Sequence, residues 1–201
     1  FCNDSLALSA FLATGTLSLV LGFIFKRIGK KAGPNTSLRV LFLFTTSLWL
    51  IISLIAAIPF FYQLPDLSFS QAFYESCSGL STSGSTVITH LDQRPRAILL
   101  WRGILQYIGG VGFVALAVVI LPISAMGGMS IFKTESYSFD DSAKFTPHLK
   151  TMAISLFVWY VAILVLCSFF FVLGGFDLFR AIVTALSTVS TGGMTPTDSQ
   201  M

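Results

Sequence analysis

The residues with a chemical use in this chain are two runs of serine, threonine and glycine: Ser81-Thr82-Ser83-Gly84-Ser85-Thr86 and Ser190-Thr191-Gly192-Gly193-Met194. Small side chains leave the backbone accessible, and a glycine free to take φ > 0 lets successive carbonyls turn toward one axis. Carbonyls arranged in that way replace the hydration shell of a monovalent cation. The candidate ion-binding carbonyls are those of Ser81, Thr82, Ser83 and Gly84 in the first run, and of Ser190, Thr191, Gly192 and Gly193 in the second. Either run alone reads equally well as a flexible turn, since such compositions are common there. What separates the two readings is the elements that precede each run.

Both runs follow a stretch that spells a short helix. Ser68 with Gln71 three residues on is a capping-box pattern. A helix over 70–80 measures only about 16 Å, half a bilayer. Asp177 caps a second such helix, predicted to run to about Thr188. The two stretches align at an offset of 109 residues, with Ala72 on Ala181, Ser81 on Ser190, Thr82 on Thr191 and Gly84 on Gly193. The filter glycine of the second run is Gly192 or Gly193, and the offset favours Gly193. The apolar stretches upstream, 40–65 and 151–176, keep nearly the same spacing. The chain therefore holds an internal repeat of span, half-length helix and extended segment, the first copy closed by a further span and the second not. Irregular backbone at membrane depth is tolerated where it is buried in protein or lines a water-filled cavity. A half-helix entering from outside points its negative end at the membrane centre and favours a cation. Glu75 either lends negative potential to an outer vestibule or accepts hydrogen bonds behind the run; a position inside a packed half-helix favours the second.

Composition sets the solvent. Of 201 residues 54% are hydrophobic and 10% charged, against about 25% charged in soluble domains. The mean hydropathy is +0.82. These values exclude a soluble enzyme, a nucleic-acid binder and a secreted disulfide scaffold. Uncharged stretches at 5–25, 40–65, 103–132 and 151–176 are each long enough to cross a membrane, giving four transmembrane helices. Eight basic residues (Lys26, Arg27, Lys30, Lys31, Arg39, Lys133, Lys144 and Lys150) fall on one side. The positive-inside rule makes that side cytoplasmic. Residue 1 and the re-entrant loops 66–102 and 177–201 then lie outside, and loops 26–39 and 123–150 inside. Lys26–Lys31 suits anionic lipid, and Trp101 and Tyr62 suit the outer interfacial belt. Cys2, Cys77 and Cys167 read as packing residues, and His90 and His148 have no ligand-spaced neighbours. No cofactor and no resident metal are expected.

Gly110-Val111-Gly112-Phe113-Val114-Ala115 matches the dinucleotide fingerprint G-x-G-x-x-A, yet it sits inside an uncharged 30-residue run with no βαβ unit around it. Gly103, Gly109, Gly110, Gly112, Ala115 and Ala117 read instead as a small-residue face for close helix packing. Gly127-Gly128-Met129-Ser130-Ile131-Phe132 reads as a short interfacial segment at the inner surface.

Several motifs together resemble the TrkH/KtrB/HKT superfamily of potassium and sometimes sodium translocating proteins, its TrkH branch most closely. They are 73–84 (FYESCSGLSTSG), Trp101-Arg102, 106–112 (QYIGGVG), 117–122 (AVVILP), Gly127-Gly128-Met129 with Phe132-Lys133 and Glu135, and Thr191-Gly192-Gly193-Met194 with Asp198. The resemblance implies an all-α integral membrane protein of M1–P–M2 repeats (span, re-entrant pore helix with filter strand, span), four of them around one potassium-channel-like pore. Residues 1–30 are then the last of the extra N-terminal helices, 38–132 the first repeat, and 149–201 a second repeat that stops after its filter strand. On this reading the chain is an incomplete piece of a longer protein. The resemblance implies potassium uptake across the inner (cytoplasmic) membrane, with K⁺ as substrate, a cytoplasmic TrkA-like nucleotide-binding regulatory subunit, a homodimer at full length, and no nucleic-acid partner. Two departures are visible: Ser-Thr-Ser-Gly stands where relatives often show an all-Thr run before the glycine, and half of the repeats are missing. A Na⁺-permeable or Ktr-type relative is the nearest alternative. A secondary solute transporter would show inverted repeats, whereas these run in one direction. A membrane-embedded enzyme would need ionisable groups in the spans, and the four uncharged stretches contain none.

Overall fold

A computed structural model of the chain describes residues 2–29, 38–129 and 142–198. These form seven α-helices: α1 (Cys2–Gly29), α2 (Leu38–Ala56), α3 (Ile58–Gln63), α4 (Phe69–Leu80), α5 (Arg96–Met129), α6 (Ser142–Leu173) and α7 (Leu178–Val189). Four segments are long and apolar enough to cross a membrane: Leu8–Gly29, Phe42–Gln63, Arg96–Leu116 and Thr151–Leu173. Leu19, Phe23, Phe157 and Trp159 are among many large apolar side chains left exposed on α1 and α6. A helix that is apolar all round belongs in lipid or in a core. Lys30, Lys31 and Lys133 of the basic loops lie outside the described residues, as do the side chains of Lys144 and Lys150.

The second span, Phe42–Gln63, is one membrane-length segment with a single turn residue, Ala57, between α2 and α3. Pro59 sits in the first turn of α3, where it has no N–H to give and its ring crowds the carbonyl one turn back. Ala57 stays helical, its N–H on the Ser53 carbonyl and its carbonyl accepting the Phe61 N–H. Other elements tie to the backbone there: the Ser76 hydroxyl donates to the Ser53 carbonyl at 2.7 Å, and the Trp101 indole N–H to the Ala56 carbonyl at 3.1 Å. Trp101 is half-buried and edge-on to Phe11, and Tyr62 is exposed.

The third span begins earlier than expected. α5 starts at Arg96, not after Arg102, so the charge that ended the uncharged stretch lies inside the helix. Gly127–Met129 form its last residues; 130–132 lie outside the described residues. α6 ends on a Schellman motif with Gly175 at φ +93°, the Gly175 and Phe176 N–H groups donating to the Val172 and Phe171 carbonyls.

The core sits between α2, α3, α4 and the start of α5, where Ala57, Phe60, Ala72, Leu91 and Ile98 are fully buried. Arg94 grips Asp66 with both Nη atoms at 3.0 and 2.7 Å. The hydrogen bond from that guanidinium holds the Asp66 carboxyl below its usual range. α5 runs past both short helices on its small-residue face. Gly79 of α4 abuts Leu105, and Gly103 abuts Leu186 of α7. A Cβ on Gly109 would overlap the Leu80 carbonyl, and one on Gly110 would collide with Ser190 and the Tyr160 hydroxyl. The expected packing face is thus real at these positions. Gly112 instead lies beside Trp49, and the Ala117 side chain is outside the described set.

Candidate ion-binding site

The two short helices are built alike from cap to cap. Ser68 caps α4 with the full box, accepting from the Gln71 N–H while the Gln71 side chain accepts from the Ser68 N–H at 2.9 Å. Asp177 caps α7 by accepting from the Phe179 N–H at 3.3 Å. Both helices have 12 residues, and their bounds differ by the offset of 109. Each ends in a Schellman motif: Thr82 and Ser83 N–H donate to the Gly79 and Ser78 carbonyls, and Thr191 and Gly192 N–H donate to those of Thr188 and Ser187. The left-handed position of that motif usually holds glycine. Here it holds Thr82 at φ +56° and Thr191 at φ +57°, a placement that costs a β-branched residue about 1–2 kcal/mol.

The backbone match continues past the caps. Gly84 and Gly193 take φ +78° and +75°. Gly193 is therefore the conformational counterpart of Gly84, as the offset indicated, and Gly192 is the counterpart of Ser83. The two runs meet at one point, where the Gly192 carbonyl oxygen occupies the place of a Cβ on Gly84. The equivalent position on Gly193 faces open space. Among the described residues neither run pairs as a β-strand; each is a single extended segment, so its backbone groups are not consumed by a sheet.

Behind the runs lies a buried ion pair. Glu75, fully buried on α4, accepts from the Thr86 hydroxyl at 2.9 Å, the Val87 N–H at 3.0 Å and Arg102 Nε at 2.8 Å. Arg102, 2% exposed, also donates from Nη1 to the Thr195 carbonyl at 3.3 Å. One guanidinium thus braces the segment after the first run and the segment after the second. Glu75 plays the backbone-holding part expected of it, not a vestibule part. Arg102 is a correction: the sequence reading counted it as an outward-loop charge, and it is an internal brace. The signal available for it was Glu75 itself, because a carboxylate inside a packed half-helix requires a cationic partner. Tyr160 was also missed; its hydroxyl donates to the Val189 carbonyl at 3.1 Å, satisfying an end of α7, and its ring leans on Tyr107. On the first run Ser78 serves a similar end, its hydroxyl bonded to the Ser83 hydroxyl at 2.9 Å and to the Ser85 carbonyl.

The family model "TrkH: Cation transport protein" matches residues 8–201. The chain belongs to the TrkH family. It is 34% identical over 193 residues to the Trk system potassium uptake protein TrkH of Escherichia coli K12, covering 96% of this chain and 40% of that protein. The Trk system potassium uptake protein TrkI of Halomonas elongata is 33% identical over 194 residues, covering 96% of this chain and 38% of its own length. The crystal structure of the potassium transporter TrkH from Vibrio parahaemolyticus superposes with a TM-score of 0.72 at 30% identity, over 98% of this chain and 43% of that one. This TrkH-family chain thus spans about two fifths of the length of the relatives it matches. With four membrane-length helices it is a multi-pass membrane protein of a transport family, not an enzyme.

Proposed function

We propose that this chain supplies two of the segments that line a potassium pathway, K⁺ being held by the backbone carbonyls of Ser81, Thr82, Ser83 and Gly84 and of Ser190, Thr191, Gly192 and Gly193. The observation that carries the reading is the paired backbone: positive φ at Thr82 and Gly84, and again at Thr191 and Gly193. In an ordinary strand successive carbonyls point to opposite sides. Alternating the sign of φ turns them toward the same side, which a cation requires. The close approach of Gly84 to the Gly192 carbonyl supports one shared axis. Each segment also follows the negative end of a short helix, and Glu75 and Arg102 support it from behind rather than exposing a charge to the path.

On this reading α2–α3, α4 and α5 form one span–pore helix–span unit, and α6 with α7 opens a second. Further copies complete the ring. The basic loops face the cytoplasm, the two runs are entered from outside, and transport is K⁺ uptake across the cytoplasmic membrane. The inner loops offer a surface for a cytoplasmic nucleotide-binding regulatory subunit of the TrkA kind, and the full-length protein pairs as a homodimer. The relatives' names as Trk potassium uptake proteins support K⁺ as the substrate. The test is growth at low potassium of a cell lacking its own uptake systems, expressing the full-length protein. Wild type should restore growth and Gly84→Asp should not. Normal K⁺ uptake by Gly84→Asp would remove the filter assignment.

A further inference from the structure

A buried side chain next to the second run has no hydrogen-bond partner among the described residues. Gln106 is fully buried on α5, and neither its Oε1 nor its Nε2 has a hydrogen-bond partner. Its amide lies directly against the α-carbon of Gly192: a Cβ there would run into Nε2, Cδ and Oε1. Gly192 is also bonded to Ser187, whose carbonyl accepts the Gly192 N–H at 2.9 Å. The Ser187 hydroxyl is buried and also unpartnered. Buried polar groups are nearly always paired, so two orphans on residues that touch one filter residue call for an explanation.

The first copy supplies it. Ser187 and Gly192 correspond to Ser78 and Ser83 at the offset of 109. There the Ser78 hydroxyl is bonded to the Ser83 hydroxyl at 2.9 Å and to the Ser85 carbonyl, tying the run to its helix. In the second copy position 192 has no side chain, so Ser187 has no hydroxyl there to match the one its counterpart uses. The volume that a serine at 192 would fill is taken by the Gln106 amide, delivered from the neighbouring span. Ser83 itself is exposed.

We propose that Gln106 is a positioning residue for ion selection: its amide fills, behind the second run, the space that a serine at position 192 would take, and backs Gly192 by contact where the first run has a hydroxyl tie. The inference rests on the carbonyl-filter reading above. A residue of this kind sets how closely carbonyls follow the ion, so its loss changes the ratio of K⁺ to Na⁺ transport before it changes assembly.

The test is uptake of K⁺ and Na⁺ by the full-length protein, with the amount in the membrane measured for each variant. Gln106→Ala should lower the K⁺:Na⁺ ratio about three- to tenfold, because the contact behind Gly192 is lost. Gly192→Ser alone should be worse, because it collides with the amide. Gln106→Ala combined with Gly192→Ser rebuilds the serine pair of the first copy and should return the ratio to within about twofold of wild type. An unchanged ratio in Gln106→Ala, or a double variant no better than Gln106→Ala, overturns the proposal. So does failure of all three variants to reach the membrane, since that would make Gln106 a residue of the fold rather than of selection. Gly84→Asp runs alongside: if it transports normally, the filter reading itself is wrong. If it is dead while Gln106→Ala keeps its ratio, only the positioning role falls.

Discussion

Thr82 and Thr191 sit in a backbone conformation that a β-branched residue avoids, and they do so at matched places in two copies. Such strain persists when the surroundings over-determine it and is concentrated at functional sites. The two Schellman motifs do the determining here, since each anchors a run to its helix by two N–H bonds. Downstream, Gly84 and Gly193 share a positive φ and differ in surroundings. Gly193→Ala should therefore cost about 1–2 kcal/mol from backbone strain, while Gly84→Ala adds overlap with the Gly192 carbonyl. Thermal unfolding in detergent should rank wild type above Gly193→Ala above Gly84→Ala; equal losses would remove the contact between the runs. Glu75 and Arg102 behave as a unit. Removing one partner of a buried pair typically costs about 3–5 kcal/mol, whereas replacing both with apolar residues is far better tolerated. Glu75→Leu should thus be less stable than Glu75→Leu with Arg102→Leu, and the reverse order would show that the guanidinium is not held by this carboxylate.

The elements explain why some of this was legible in the sequence and some was not. α4 and α7 could be placed within a residue because their ends are written locally: Ser68 with Gln71 and Asp177 at the starts, small hydroxyl residues at the stops. If those caps carry the helices, Ser68→Ala should cost about 1 kcal/mol, measured as a fall in melting temperature, and no change would mean that packing alone defines the start of α4. The glycine face of α5 was legible too at Gly103, Gly109 and Gly110, because so many small residues in one span have few other uses. The turn residue Ala57 between α2 and α3 was not legible, although Pro59 follows it, because the apolar stretch runs through it unchanged. The bonds that Arg102 and Trp101 make could not be read from spacing. Their partners, Glu75 and Ala56, lie 27 and 45 residues away, so only the folded chain brings them together.

At the scale of the molecule the repeat is the organising fact. Two short helices of equal length and equal exits, each capped at the matching position, are both packed against one span, α5, so that a single helix positions both runs. Low charge is part of the same design: the membrane-length segments expose apolar side chains outward, and Arg102 of the third is turned onto Glu75 of α4. The proposed sidedness predicts that a cysteine introduced by Thr89→Cys reacts with an impermeant thiol reagent from outside, and one introduced by Lys31→Cys only after the membrane is opened. The opposite pattern would invert the topology. The central claim is that carbonyls of the two runs hold the ion, and it is tested most directly by locating the ion. Crystals of the full-length protein grown with Rb⁺ or Tl⁺ should show anomalous signal between the 81–84 and 190–193 backbones, lost in Gly84→Asp. Signal confined to side-chain sites elsewhere, in a protein that still transports K⁺, would contradict the account.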